Sequence, residues 1–328
     1  MTTVQVTVID QDGRTGTVSF DVVEQTERER RSALVGVVKP DASTVGVYAD
    51  VPRSPQSGAT LTPGLLLQNK TITGRLSPPA QSGQNNPPAV LRNCELLGPL
   101  TVPASGDGIL AGWGANHVPV VLEDCTIHAQ ALNYYRNGVM GHHITLRNCD
   151  VYDVVDGFDI FNSNDPAGAT GVVVEGSWFH RSSYFDANPA GDANSQTHND
   201  TGFQIMGGSG TRIVGNRVDG FLGGGAVNTH GTDRSNACIM IKPDVGTISD
   251  LVVEKNWLDG GRVPINIAQD AGSSRIIGTG IIIRDNVFGR SADAGPDYTA
   301  LMPASASSVI CTGNVYTDGT PAVIRRNG

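Results

Sequence analysis

The sequence predicts an all-β protein: a single-stranded, right-handed parallel β-helix of about nine coils behind a small β-rich N-terminal segment. Three observations predict it. Helix formers are scarce, with 4 Lys and 7 Glu beside 19 Arg and 25 Asp, and turn formers abound, with 41 Gly in 328 residues where an average chain holds about 7%. That composition disfavours bundles and coiled coils. Nine segments of the chain superimpose as one short repeat, and a set of apolar–polar–apolar strands recurs ahead of them.

Residues 1–60 do not fit the repeat and read as an N-terminal capping or attachment segment. Val4–Ile9 and Gly16–Val23 alternate around Asp10-Gln-Asp-Gly-Arg-Thr15, the pattern of a hairpin. Thr26–Arg31 is a short charged stretch that reads as a solvated turn or helix. Ala49–Pro63, rich in Pro, Ser and Gly, leads into the first coil, and Ser77–Pro88 reads as a loop between the first two coils.

Residues 61–328 carry the repeat. Its members are LLQNKTITG from Leu66, VLRNCELLG from Val90, VLEDCTIHA from Val121, TLRNCDVYD from Thr145, VVEGSWFHR from Val173, RIVGNRVDG from Arg212, VVEKNWLDG from Val252, IIRDNVFGR from Ile282 and ICTGNVYTD from Ile310. Positions two and seven are apolar throughout. Position five reads Lys70, Cys94, Cys125, Cys149, Ser177, Asn216, Asn256, Asn286 and Asn314, at intervals of 24, 31, 24, 28, 39, 40, 30 and 28 residues. Each unit reads as a strand, a bend at position five and a second strand. Coils stack about 4.8 Å apart, so like residues lie on like. Stacked Asn side chains then hydrogen-bond along the axis, and small, readily buried Cys fills the same slot. Cys94, Cys125 and Cys149 therefore read as a buried thiol ladder.

A second strand set runs through Val139-Met140, Phe158-Asp159-Ile160, Phe203-Gln204-Ile205, Ile239-Met240-Ile241 and Ile265-Asn266-Ile267. Period two turns the apolar residues inward and Met140, Asp159, Gln204, Met240 and Asn266 outward. Phe161, Met206, Lys242 and Ala268 follow in the same coils.

Charge and composition exclude several functions. A net charge of −9 argues against nucleic acid, whose phosphates need clustered Lys and Arg. No run of about 18 apolar residues exists, so membrane insertion is not expected. Met1–Val6 has neither basic start nor apolar stretch, so no Sec-type signal peptide is expected. Five cysteines without compact spacing do not make a disulfide scaffold.

The two longest intervals mark insertions at 180–201 and 219–236, and polar residues gather there: Asp153, Asp156, Asp159, His198, Asp200, Gln204, His230, Asp233, Lys242, Asp244 and Asn266. Asp156 and Asp200 precede Gly157-Phe158-Asp159 and Gly202-Phe203-Gln204 by nearly equal offsets, which makes them neighbours on adjacent coils. Two such carboxyls split their pKa values into an acid and a base or nucleophile, the equipment of glycoside hydrolysis. The expected catalytic residues are Asp156, Asp159 and Asp200. The expected substrate-binding residues are His198, Gln204, His230, Asp233, Lys242 and Asn266. The same Asp and Asn residues also suit capping of turns. His142-His143, His198 and His230 lack the HExxH or CxxC spacing of a metal site, and no EF-hand pattern is present, so no metal or cofactor is expected. Trp113, Tyr134, Tyr135, Trp178 and Tyr184 suit sugar stacking or core packing equally.

Thr197-His198-Asn199-Asp200-Thr201-Gly202-Phe203-Gln204-Ile205, followed by Gly207-Gly208-Ser209 and Ile213-Val214-Gly215-Asn216, resembles a stretch of pectin-lyase-like right-handed β-helix proteins. Leu61-Thr-Pro-Gly64, Thr71-Ile-Thr-Gly74 and Val90-Leu-Arg-Asn-Cys94 resemble β-helix minor tail and tail-spike proteins of phages of GC-rich bacteria. The resemblance covers about residues 60–328. It implies a virion tail protein, commonly a homotrimer among other tail proteins, that binds host cell-surface glycan and in some members cleaves it. The adjacent Asp-Asp and the Gly-His-Gly of polygalacturonases are absent from this sequence, as is the acidic calcium-binding set of pectate lyases. Three functions stay open. One is a tail protein binding host polysaccharide, with hydrolysis ahead of elimination if it cleaves. The second is a free polysaccharide hydrolase or lyase, and the third is a structural tail component without a glycan site.

Overall fold

The computed structural model describes residues 3–9, 15–79, 86–103, 106–112, 118–189, 197, 199–221, 235–270, 272–303 and 308–327. Among them, strands of the solenoid form three parallel sheets of ten, nine and ten strands. Each coil passes through all three, so the chain is a parallel β-helix. The nine-stranded sheet, from Leu66–Gln68 to Ile310–Thr312, holds the first half of every repeat. The sheet after the bend runs from Ser54–Gln56 to Val315–Tyr316. The third, from Ala59–Thr60 to Ile324–Asn327, contains the apolar–polar–apolar strands and is called the site sheet below. Residues 54–60 thus pair with the coils, while Thr3–Ile9 and Thr15–Asp21 form a separate antiparallel hairpin.

The register explains the core. Position-seven residues pair from Ile72 and Leu96 through Phe179 to Tyr316 and are buried along the whole length. Position-two residues from Leu67 to Ile283 form the facing wall, and the inward residues of the site sheet complete a dry triangular core. Stacking at one strand spacing puts like on like, so one contiguous hydrophobic column is buried rather than several small ones.

The bend differs from expectation in one respect. The left-handed residue is position four, not five: Asn69, Asn93, Asp124, Asn148, Gly176, Gly215, Lys255, Asp285 and Gly313 all have φ between 48° and 66°. Asn, Asp and Gly tolerate that conformation best, and eight of these nine positions hold one of the three. Position five then points inward. Asn216 receives at Oδ1 the backbone N–H of Ser177 at 2.9 Å and donates through Nδ2 to the Val174 carbonyl at 2.9 Å. Asn256, Asn286 and Asn314 repeat both bonds, each to the coil before it. The thiols of Cys94, Cys125 and Cys149 reach the equivalent carbonyls of Leu67, Leu91 and Leu122 at 3.5–3.7 Å. Cysteine therefore donates where the asparagine amide does. Lys70 leaves the ladder and bonds the Ser54 hydroxyl instead.

The charged stretch forms the helix Val22–Leu34, and it is not wholly solvated. Arg31 is buried, donates to the Gly46 carbonyl and to Asp124 Oδ1, and lies 4.7 Å above the Tyr48 ring. The following segment runs along the bend corner: Gly46 N–H bonds the Asn148 carbonyl and Tyr48 N–H bonds Asn93 Oδ1. No helix among the described residues is long and apolar enough to cross a membrane.

Candidate functional site

The site sheet builds a carboxyl cluster from three successive strands, Arg136–Gly141, Phe158–Ile160 and Asp200–Ile205. Phe158 pairs with Phe203, so Asp159 stands beside Gln204 on the outward face, with Met140 and then Met240 and Asn266 on either side. Asp200 precedes Phe203 by three residues and Asp156 precedes its partner Phe158 by two, and the two meet at the start of the paired strands. The Asp200 backbone N–H donates to Asp156 Oδ1 at 2.7 Å. Glycines under the strands allow this approach. A Cβ on Gly157 would sit 2.6 Å from the Gly202 carbonyl oxygen and closer still to that of Thr201.

All three carboxyls are buried, at 6% exposure for Asp156, 2% for Asp159 and 0% for Asp200. Burial, then the charges of Asp159 and Asp200, pushes Asp156 well above the usual carboxylate range. Burial also lifts Asp159, to about 7, with Asp200 adding to the rise and a hydrogen bond from Asn137 opposing it. Asp159 Oδ2 accepts that bond, while Oδ1 has no partner. Asp200 Oδ1 accepts from Asn236 Nδ2 at 3.0 Å. The buried Asn199 Oδ1 and Ser183 Oγ beside them also lack hydrogen-bond partners. Such orphaned oxygens are rare in a folded interior.

The structure therefore brings Asp156, Asp159, Asp200 and Gln204 together and puts Asn266 two strands beyond Gln204 in the same row. Lys242 follows Met240 by two residues and is tied by Nζ to Asp244 at 2.8 Å and Asp270 at 3.6 Å. His198, His230, Asp233 and Trp113 lie outside the described residues. Trp178 packs within the solenoid: His180 stacks on it at 3.9 Å, the Arg217 guanidinium lies 4.2 Å from its ring, and Nε1 donates to Asp219. Phe185 and Phe221 are half-buried, and Phe185 meets the Tyr134 ring at 6.2 Å. Among the described residues no group of three or more His, Cys, Asp or Glu is placed to hold a metal ion.

Asn137, Asn199 and Asn236 were missed as site residues. A signal for the first was present: Asn137-Gly138-Val139-Met140 aligns with Asp156-Gly157-Phe158-Asp159, so Asn137 takes the Asp156 slot one coil earlier.

No protein-family model matches the chain, and a search of curated proteins found no match. Among solved structures the chain is similar to an alginate lyase from Paenibacillus sp. str. FPU-7, at 16% identity and a TM-score of 0.48, over 84% of this chain and 85% of that one.

Proposed function

We propose that this β-helix binds host cell-surface polysaccharide along its site sheet and hydrolyses it with the Asp156–Asp159–Asp200 cluster, as a trimeric component of a phage tail. The tail setting and the trimer rest on the sequence resemblance. The chemistry rests on one observation: burial and neighbouring carboxyls push the pKa values of Asp156 and Asp159 up, and Asp159 keeps a buried Oδ1 without a partner.

The directions assign the roles. Asp156, whose buried carboxyl holds its proton well above the usual carboxylate range, gives that proton to the glycosidic oxygen as the bond from that oxygen to the anomeric carbon breaks. Asp159, ionised above about pH 7, takes a proton at Oδ1 from water as that water's oxygen bonds to the anomeric carbon. Asp200 is a positioning residue: its N–H fixes the Asp156 carboxyl in place, and its charge adds to the burial and the Asp159 charge that raise the Asp156 pKa. Gln204, next to Asp159, offers an amide donor and acceptor to sugar hydroxyls.

Host cell-wall polysaccharide incubated with the protein should release reducing sugar, and Asp156→Asn and Asp159→Asn should each abolish release while circular dichroism stays unchanged. The bonds from Asp200 N–H to Asp156 and from Asn236 to Asp200 favour a second reading, a purely structural polar ladder. Under that reading no sugar is released and neither substitution alters glycan retention.

A further inference from the structure

The outward face of the nine-stranded sheet carries an apolar row that is not part of the solenoid's core. It lies one residue before each inward position-two residue and runs in register from Leu66 to Ile310 along all nine strands. Seven of its nine members are Leu, Ile or Val, and Thr145 and Arg212 are the other two. Leu66 and Ile310, at its ends, are 53% exposed each. The aliphatic residues between them are half-buried, each flanked by its stacked neighbours on the strands above and below. At one strand spacing the row is about 40 Å long. Aliphatic side chains lined up along an outer face mark a contact surface, unlike apolar residues scattered singly.

Beside this row, at position three, the charges alternate. Arg92, Glu123, Arg147 and Glu175 stand on four successive coils, and Glu254 and Arg284 on a later pair. Glu123 bridges Arg92 at 2.9 Å and Arg147 at 3.5 Å, and Arg147 reaches Glu175 at 3.2 Å. Arg212 of the apolar row bridges Glu254 at 3.2 Å, and Arg28 of the N-terminal helix borders the face at Glu123. Three Arg and three Glu cancel at position three, in a chain whose net charge is −9. The other two faces differ. The post-bend sheet turns Glu95, Asp150, Asp219 and Asp259 outward beside Arg217, and the site sheet holds the carboxyl cluster. Copies of an acidic chain meet at least electrostatic cost through the face whose charges cancel. Around a threefold axis like coils meet at one height. A tier of Arg then lies one coil rise from a tier of Glu, so each copy's charges find opposite charges on its neighbours. An aliphatic line with a paired, charged border has the make-up of an interface core and rim.

We infer that copies of this chain meet through the outward face of the nine-stranded sheet, with the row from Leu66 to Ile310 at the contact; this rests on the trimer proposed above. The test is light scattering behind size exclusion, with the full-length chain at micromolar concentration. Wild type is compared with Val173→Arg and Val252→Arg in the row, and with Val287→Arg on the outward face of the post-bend sheet. A triple variant, Val121→Thr with Val173→Thr and Val252→Thr, keeps the β-branched shape and removes the apolar surface without adding charge. Circular dichroism checks that each variant folds. Wild type and Val287→Arg should run as three chains. Each arginine variant of the row should run as one, and the triple threonine variant should need about tenfold or more protein to assemble. Folded row variants that keep the wild-type mass would overturn the inference and leave the trimer standing. Wild type running as a single chain would overturn both. A two-chain wild type split by the row variants would keep the face and remove the trimer. Sugar release by Asp156→Asn decides the glycan reading separately in every case.

Discussion

Asp159 couples the proposed chemistry to stability. Its pKa is about 7 in the folded protein against an ordinary value of 3.8. A raised folded pKa means the folded state holds the proton more tightly. The resulting stabilisation is complete below about pH 4 and is lost as pH rises through about 7. Asp159→Asn removes that loss, because the amide stays neutral and still accepts from Asn137. The variant should match wild type in thermal denaturation at pH 4 and exceed it at pH 8, by roughly 2–4 kcal/mol. An equal difference at both pH values would show that the carboxyl does not titrate as described. Gly157→Ala should cost about 2–4 kcal/mol, since its Cβ has no room against the next coil's carbonyls. Urea denaturation reads that cost. The approach of Asp156 to Asp200 was legible because both precede a Gly-Phe pair. The partners Asn199 and Asn236 were not, because their contacts depend on how each insertion leaves and rejoins the sheet, which carries no period.

The strand–bend–strand unit explains why so short a pattern specifies so long a molecule. Asn256 ties three coils: Oδ1 accepts from Asn216 N–H at 2.8 Å, and Nδ2 donates to the Ile213 carbonyl and to Asn286 Oδ1, both at 3.0 Å. Asn256→Ala orphans several buried polar groups and should cost about 2–4 kcal/mol. Cys125→Ser keeps a donor for the Leu91 carbonyl and should cost less than Asn256→Ala in the same urea titration. If the two cost the same, the ladder bonds contribute nothing beyond filling space. The repeat's apolar positions and its ladder were readable because the first recur nine times and the second eight. The left-handed bend at position four was equally encoded, in Asn, Asp and Gly, but the ladder residue beside it looked like the bend.

Over the whole molecule, the N-terminal helix and the segment to Tyr48 brace the bend corner of several coils. Asp124 is buried, and burial raises its pKa even though Tyr48 and Arg31 both bond it. Arg31→Met removes the guanidinium and leaves that carboxylate short of a partner, at a cost of about 3 kcal/mol in urea denaturation at pH 7. The proposed trimer should appear in light scattering as about three times 34.3 kDa, and a monomer at micromolar concentration would count against it. Under the proposed function, the extended site sheet would give a glycan chain several coils to lie across, with the carboxyl cluster as the point on that path for chemistry.

The measurement that reaches the central claim is the pH dependence of reducing-sugar release from host cell-wall polysaccharide by wild type and Asp159→Asn. The account predicts release that rises as Asp159 ionises through about pH 7 and is absent in the variant. Release that persists in Asp159→Asn with the same pH profile, or no release by wild type at any pH, would contradict it.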